Sequence, residues 1–355
     1  MAYVLGGGND EADGFTTAIA NFALRAMHES TGLVEFTQVV APNQGNQYLV
    51  PQFAPITYSD YNPAGSGAGD GFGAPPLAVE QNPALGQGSI TATPAVAATA
   101  FDVFYAWTTS FELAATLGAE LGESYGEKVD IRVCQAFTSF KATPGNTDYP
   151  IVAGVGDGFA RPTQLGAMEL IADQQTGGTQ TAGFTSNTVL GLVRNVKQNY
   201  KAARLPGTPI IVLDSNGDSA TVVGPPASVQ TGSTLNRLLG ELTGGAVSQS
   251  GGSNLSALGN ELLSTGRIES VYGCALIFTT FLSTATRTVI GAAGQTVLVG
   301  AYFHETAIFT VLKEGLQIKM GEKPGGLQMW LTGLAYMGAG VADPRRGGAI
   351  NILQA

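Results

Sequence analysis

Apolar positions change their spacing several times along the chain, and each change marks an element. Phe15 to Glu29 carries Ile19, Phe22, Ala23 and Met27 close to helical spacing, which predicts a short amphipathic helix. From Leu33 the pattern turns extended, with VEFTQVV and QYLVPQF broken by Pro42 and Gly45, and it returns extended over Ser89 to Trp107. Between these limbs Tyr61 to Gly88 holds seven glycines, four prolines and no Lys or Arg. Two extended limbs around such a tip predict a hairpin-like projection. Glycine loses the most entropy on ordering, so contacts from outside the local fold are expected to hold the tip.

A long helix follows. Thr109 and Glu112 fit a capping box, Leu113, Leu117, Leu121 and Tyr125 run along one side, and the pattern persists to about Phe137. Beyond Pro144 the chain is mixed. QLGAMELIADQQ reads as a helix, as does Asn187 to Arg204 with Val189, Leu192, Val193, Val196 and Tyr200 on one face. Pro206 then leads into a buried strand, PIIVLD at 209–214. Two weaker helices, LNRLLGEL and NLSALGNELL, precede the strand-like RIESVYGCALIFTTFL. From Thr296 the chain offers strands, TVLVGAYF, AIFTVL and LQMWLTGLAYMGAGVA, and a turn at Asp343-Pro344.

Composition narrows what this mixture can do. The 355 residues are 44% hydrophobic and only 12% charged, about half the usual charged share. A surface so poor in charge is expected to be covered by other subunits. The net charge of −10 has the wrong sign for a protein that grips phosphate backbones. Cys134 and Cys274, one in a helical and one in a strand pattern, read as buried reduced thiols of a cytosol-made protein. The start has no basic region followed by an apolar run, and no window supplies the roughly twenty apolar residues of a membrane span.

Candidate chemistry is sparse. His28 and His304 lie in no nucleophile motif and read as structural, and two Cys and two His scattered singly make no zinc site. Gly65 to Gly73 and Gly154 to Gly158 fit neither phosphate-loop spacing and read as turns. Asp214, Asn216 and Asp218 imitate half a calcium loop, but Ser219 and Pro225 stand where it needs Gly and Glu, leaving a polar turn. Glu120, Glu123 and Glu127 share a helix face with Lys128 and Arg132, a solvated or intersubunit face. No catalytic residue, cofactor or metal is expected.

The order of elements carries more. An N-terminal arm with a helix, a two-limbed projection, a long capped helix, a mixed middle and a strand-rich ending resemble the major capsid protein of tailed bacteriophages, the HK-97-like fold. Arg204-Leu-Pro-Gly-Thr-Pro-Ile-Ile-Val-Leu is similar to that family's helix, proline turn and buried strand. Gly266-Arg-Ile-Glu-Ser-Val-Tyr-Gly-Cys-Ala-Leu-Ile resembles its strand pair. Tyr336-Met-Gly-Ala-Gly-Val-Ala-Asp-Pro resembles its closing signature, with Met337 inserted before the glycine. The resemblance implies an α+β fold with N-arm, E-loop hairpin, P-domain with a long spine helix and mixed α/β A-domain. The corresponding segments are 1–32 (arm), 33–107 (E-loop and flanking strands), 108–145 (spine helix), 146–295 (A-domain) and 296–355 (returning strands).

By the same resemblance the chain self-assembles into hexamers and pentamers of an icosahedral head around double-stranded DNA. The virion is its location, after synthesis in a bacterial cytoplasm. The implied partners are other copies, a separate scaffolding protein, a portal and a decoration protein, with no sequence-specific DNA contact and no membrane. No long charged helical leader follows Met1, so no fused scaffolding segment is expected. Some members of the family weld their shells through an E-loop lysine. This E-loop has none, which rules out that cross-link.

Charge placement suggests the contact. Residues 31–107 carry five acids and no Lys or Arg, whereas 310–346 carries Lys313, Lys319, Lys323, Arg345 and Arg346 against Glu314, Glu322 and Asp343. Asp60, Asp70 or Glu80 is therefore expected to meet one of these cations across a subunit boundary. The rival readings are a Gly/Ala/Thr-rich surface-layer, tail or adhesin protein, and an α/β enzyme with a lid at 61–88.

Overall fold

The computed structural model describes residues 18–23, 25–26, 32–53, 85–102, 110–144, 165–171, 184–186, 188–203, 205–215, 234, 238, 271–289, 292–322 and 328–353. Residues 1–17 of the arm, the projection's tip at 54–84, Thr109 of the capping box, and the weak helices apart from Leu238 lie outside the described residues.

Helix α1 (Ser110–Phe137) is the spine of the molecule. Leu117, Leu121, Tyr125, Val129, Val133 and Phe137 recur every four residues and are all buried. At 1.5 Å per residue, this stripe runs along a rod about 42 Å long. Its first turns pack on one face of a four-stranded sheet ordered β1 (Gln38–Val40), β11 (Ile308–Glu322), β12 (Gln328–Val341) and β4 (Thr93–Asp102). There Leu117 and Leu121 meet Ile318 and Leu331, and Tyr125 and Val129 meet Ala335 and Met337. The helical residues 18–23 cross α1 at Gly118, where a Cβ would lie 2.6 Å from Phe22 Cβ and 2.7 Å from the Ile19 carbonyl oxygen.

The last turns of α1 enter a second core. Val133, Cys134 and Phe137 join the seven-stranded sheet ordered β6 (Thr185–Ser186), β5 (Met168–Leu170), β13 (Gly347–Leu353), β10 (Ala292–Phe303), β7 (Ile210–Asp214) and β8 (Ala275–Thr279), with β9 (Ser283–Val289) on β10. All five residues of β7 and all seven of β13 are buried, as strands covered on both faces must be. Helix α2 (Val189–Ala202) lays Val189, Leu192, Val193, Val196 and Tyr200 into this core, and the Thr188 side chain caps it by accepting from the Gly191 N–H. One helix thus belongs to both cores.

The projection's stem is the antiparallel pair β2 (Gln47–Phe53) and β3 (Leu85–Thr91), in register from Gln47 opposite Thr91 to Phe53 opposite Leu85. Gly86 and Gly88 of the glycine-rich stretch therefore belong to a strand. After Thr91 the chain passes through buried Ala92 directly into β4. On the arm side, the Asp130 carboxylate of α1 is 4% exposed and accepts the backbone N–H groups of Gly32 and Leu33, each at 3.2 Å. Burial holds its pKa above the usual carboxylate value, and those two bonds offset only part of the rise.

Two local expectations are corrected. QLGAMELIADQQ holds strand β5, not a helix, and every residue from 165 to 171 is buried. Leu, Met, Ala and Glu favour a helix locally, but a segment covered all round between β6 and β13 gains more from the sheet's ladder. In VEFTQVV, Val34–Phe36 forms a 3-10 turn before the strand begins. Thr37 closes it, its N–H and hydroxyl both donating to the Val34 carbonyl.

Candidate intersubunit surface

Alternation along β11 and β12 sorts the sheet's two faces. Ile318, Leu331 and Ala335 point toward α1, so their neighbours Lys319, Trp330, Thr332 and Leu334 point the other way. Across the ladder Lys319 stands opposite Thr332 and then Ala98, and Gln317 opposite Leu334 and then Val96. Val96 is 63% and Trp330 48% exposed. This outer face is apolar with a basic margin. Lys313 is exposed at the irregular stretch of β11, its ammonium 5.5 Å from the Tyr336 ring centre, a contact worth about 0.5–1 kcal/mol at an exposed site.

At the end of β12 the chain turns over Pro344–Arg346. The Asp343 carboxylate accepts from Arg345 through Nε at 2.8 Å and through a terminal guanidinium nitrogen at 3.0 Å, and forms an ion pair with Arg346, whose Nε lies 3.2 Å away. Its hydrogen bond raises the Arg345 pKa further above the already high guanidinium value. Arg346 also donates to Thr306 Oγ1 at 2.7 Å. His304 completes the turn: its N–H donates to the Arg346 carbonyl and its Nδ1 accepts the Thr306 N–H.

The structure therefore brings Arg345 and Arg346 together on Asp343 and places Lys313 and Lys319 along β11. Asp60, Asp70, Glu80 and Lys323 lie outside the described residues. Two groups escaped the sequence reading. One is the Val96–Trp330 face, made by strands far apart in the chain. The other is the role of Arg132, read in the sequence only as a cation on the Glu120–Glu127 helix face, which bridges α1 to the projection's base by donating to Thr93 Oγ1 at 3.1 Å. It lines a groove of about 390 Å³ between α1 and β4, together with Ser124, Lys128 and Ala97.

The remaining candidates read simply. Glu120, Glu123 and Glu127 are exposed along α1. Asp214 is buried at the end of β7, while Asn216, Asp218, His28 and the glycines at 154–158 lie outside the described residues. Cys134 and Cys274 are free and buried, and burial pushes the Cys134 thiol up to about 12 and raises that of Cys274. Among the described residues no three His, Cys, Asp or Glu side chains gather as a metal site, and no helix is long and apolar enough to cross a membrane.

No family model matches the chain, and no curated protein matches it. Solved structures do. A chain of the bacteriophage PhiM1 mature capsid is 14% identical, with 92% of this chain and 88% of that chain covered at a TM-score of 0.51. A chain of the cyanophage P-SCSP1u capsid is 15% identical over 92% and 89%, with a TM-score of 0.50. A capsid chain of an empty GTA particle is 12% identical over 92% and 97%, with a TM-score of 0.51. The chain has the HK-97-like fold.

Proposed function

We propose that the chain is the major capsid subunit of a tailed bacteriophage, a structural protein that binds copies of itself. The observation that carries this reading is the likeness, over 92% of the chain, to chains that make up capsids. The charge-poor composition and the exposed Val96–Trp330 face support it, because a shell subunit must cover its sides with neighbours. The domain division is the one given above, with the E-loop at 33–107, the spine segment at 108–145 and the A-domain at 146–295.

In this reading copies form hexamers and pentamers of an icosahedral head that encloses double-stranded DNA. A separate scaffolding protein and a portal take part. The E-loop lies over a neighbouring subunit, and Asp60, Asp70 or Glu80 meets Lys313, Lys319, Lys323, Arg345 or Arg346 there. Closed symmetry multiplies weak contacts into a stable whole. Host cytoplasm is where the chain is made and the virion is where it ends.

The test is size-exclusion chromatography and negative-stain electron microscopy of the purified chain, with and without a scaffold candidate from the same source. Closed shells, or isolated hexamers and pentamers, are expected. Flat lattices or fibres would favour a surface-layer, tail or adhesin protein instead. A small globular species under every assembly condition would sink the capsid reading and bring forward an enzyme.

A further inference from the structure

Among the described residues the E-loop stem packs on the body beside Gly338 and Gly340 of β12, and its packing there is unusually close. A Cβ built on Gly338 of β12 would lie 2.3 Å from the Thr91 carbonyl oxygen and 3.2 Å from Ala92 Cα. One built on Gly340 would lie 2.8 Å from Ile90 Cγ1. Residues two apart on a strand share a face, so both glycines open the same side of β12. Their register partners on β11, Val311 and Phe309, share that side. Ile90, with Val50 and Ala92, packs on Val311 and Ala342, and Tyr48 lies against Phe309 with ring centres 5.7 Å apart. Ile90 is thus a knob in the hole that Gly340 leaves, and Gly338 lets the Thr91–Ala92 backbone come close beside it.

The junction is fixed beside the hole as well. The Ala92 N–H donates to the Asn46 carbonyl at 2.8 Å, tying the two limbs together, and Arg132 of the spine helix holds Thr93. We infer that Gly340, against Ile90, and Gly338, against the Thr91–Ala92 backbone, form a socket that fixes the direction in which the E-loop leaves the body, and with it the geometry of the shell contacts. The second half of this inference rests on the capsid reading; the first does not. To reach ordinary contact distance from 2.3 Å, the backbone at Thr91 must retreat by about 1 Å or more. A stem of seven paired residues at about 3.3 Å per residue enlarges any tilt at its base into several ångström at its far end.

The experiment measures direction without assembly. Nitroxide labels on cysteines introduced at Gln52 in β2 and Glu123 on α1 report their separation by pulsed electron resonance, and buried Cys134 and Cys274 stay unlabelled in the native chain. Gly338→Ala and Gly340→Ala are each expected to shift or broaden the distance. Gly321→Ala, where nothing lies within 4 Å, is expected to leave it unchanged. Ile90→Ala added to Gly340→Ala removes the clashing atoms and is expected to restore it. Should Gly338→Ala not fold, the Gly340 and Ile90 pair carries the test. An unshifted distance in Gly340→Ala, or no restoration in the double variant, would overturn the socket. Shells of normal size and yield from a chain with a shifted distance would overturn its link to shell geometry and leave the capsid reading standing.

Discussion

Cys134 and Tyr200 show what full burial does to a single acid. Cys134 is 0% exposed, and loss of water, with Asp130 one turn away, pushes its thiol from 9.0 up to about 12. Tyr200 is 1% exposed and moves from 10.0 to about 12 for the same main reason. Below pH 9 both groups keep their protons in the folded and unfolded chains, so neither makes stability depend on pH. Above it the unfolded thiol ionises while the folded one does not, and from pH 10 the unfolded tyrosine follows. Stability therefore falls as pH rises from 9 toward 12, by about 1.4 kcal/mol per pH unit for each group once its unfolded form is ionised. Urea unfolding midpoints at pH 8, 9.5 and 10.5 should show the fall, and Cys134→Ala should lessen it from pH 9. An unchanged slope in that variant would refute the assignment. Both thiols are expected to resist a thiol reagent at pH 8 until the chain unfolds.

Arg287 is the side chain that joins two elements most plainly. It is 8% exposed on β9, and its guanidinium donates to the carbonyls of Thr138 at 2.8 Å and Phe140 at 3.4 Å, just past the end of α1. A cation there satisfies carbonyls the helix leaves unpaired and opposes its negative end. Burial lowers the Arg287 pKa, a cost that these bonds offset. Arg287→Met is expected to cost about 1.5–3 kcal/mol, the range for hydrogen bonds from a charged group, measured as a lower denaturation midpoint at unchanged slope. A loss below about 0.5 kcal/mol, the scale of an ordinary surface change, would mean that the ends of α1 and β9 are held by packing alone. None of this is visible in the sequence. The elements themselves were more legible. The Leu spacing of α1 and the apolar runs of β7 and β10 to β12 state their own period, because each buries one stripe or one run. Strand β5 was misread because its residues are good helix formers and only the flanking strands decide the matter. The turn at Val34–Phe36 was missed because Asp130, which anchors its start, is far away in sequence.

For the whole molecule, the question is which charges remain to greet a neighbour. Charge placement in the sequence singled out five cations, but their standing depends on the turn at Asp343. There one carboxylate holds two guanidinium groups, so the turn presents one net positive charge rather than two. Reversing Arg346 would also break its bond to Thr306, so a loss of assembly could be a loss of the turn. Lys313 and Lys319, at exposed positions of β11, give a second test, with Lys323 as a third member. If acids of a neighbouring E-loop sit over them, Lys313→Glu with Lys319→Glu lowers the yield of closed shells, and the more strongly the lower the salt. Screening shortens from about 10 Å at 0.1 M salt to about 3 Å at 1 M, so wild type and variant should converge at high salt. A shell repeats the contact many times, so even a surface pair worth under about 1 kcal/mol becomes visible in the yield. The apolar Val96–Trp330 face contributes no such salt dependence. Equal yields at every salt concentration would assign the shell's cohesion to that face and leave the lysines solvated.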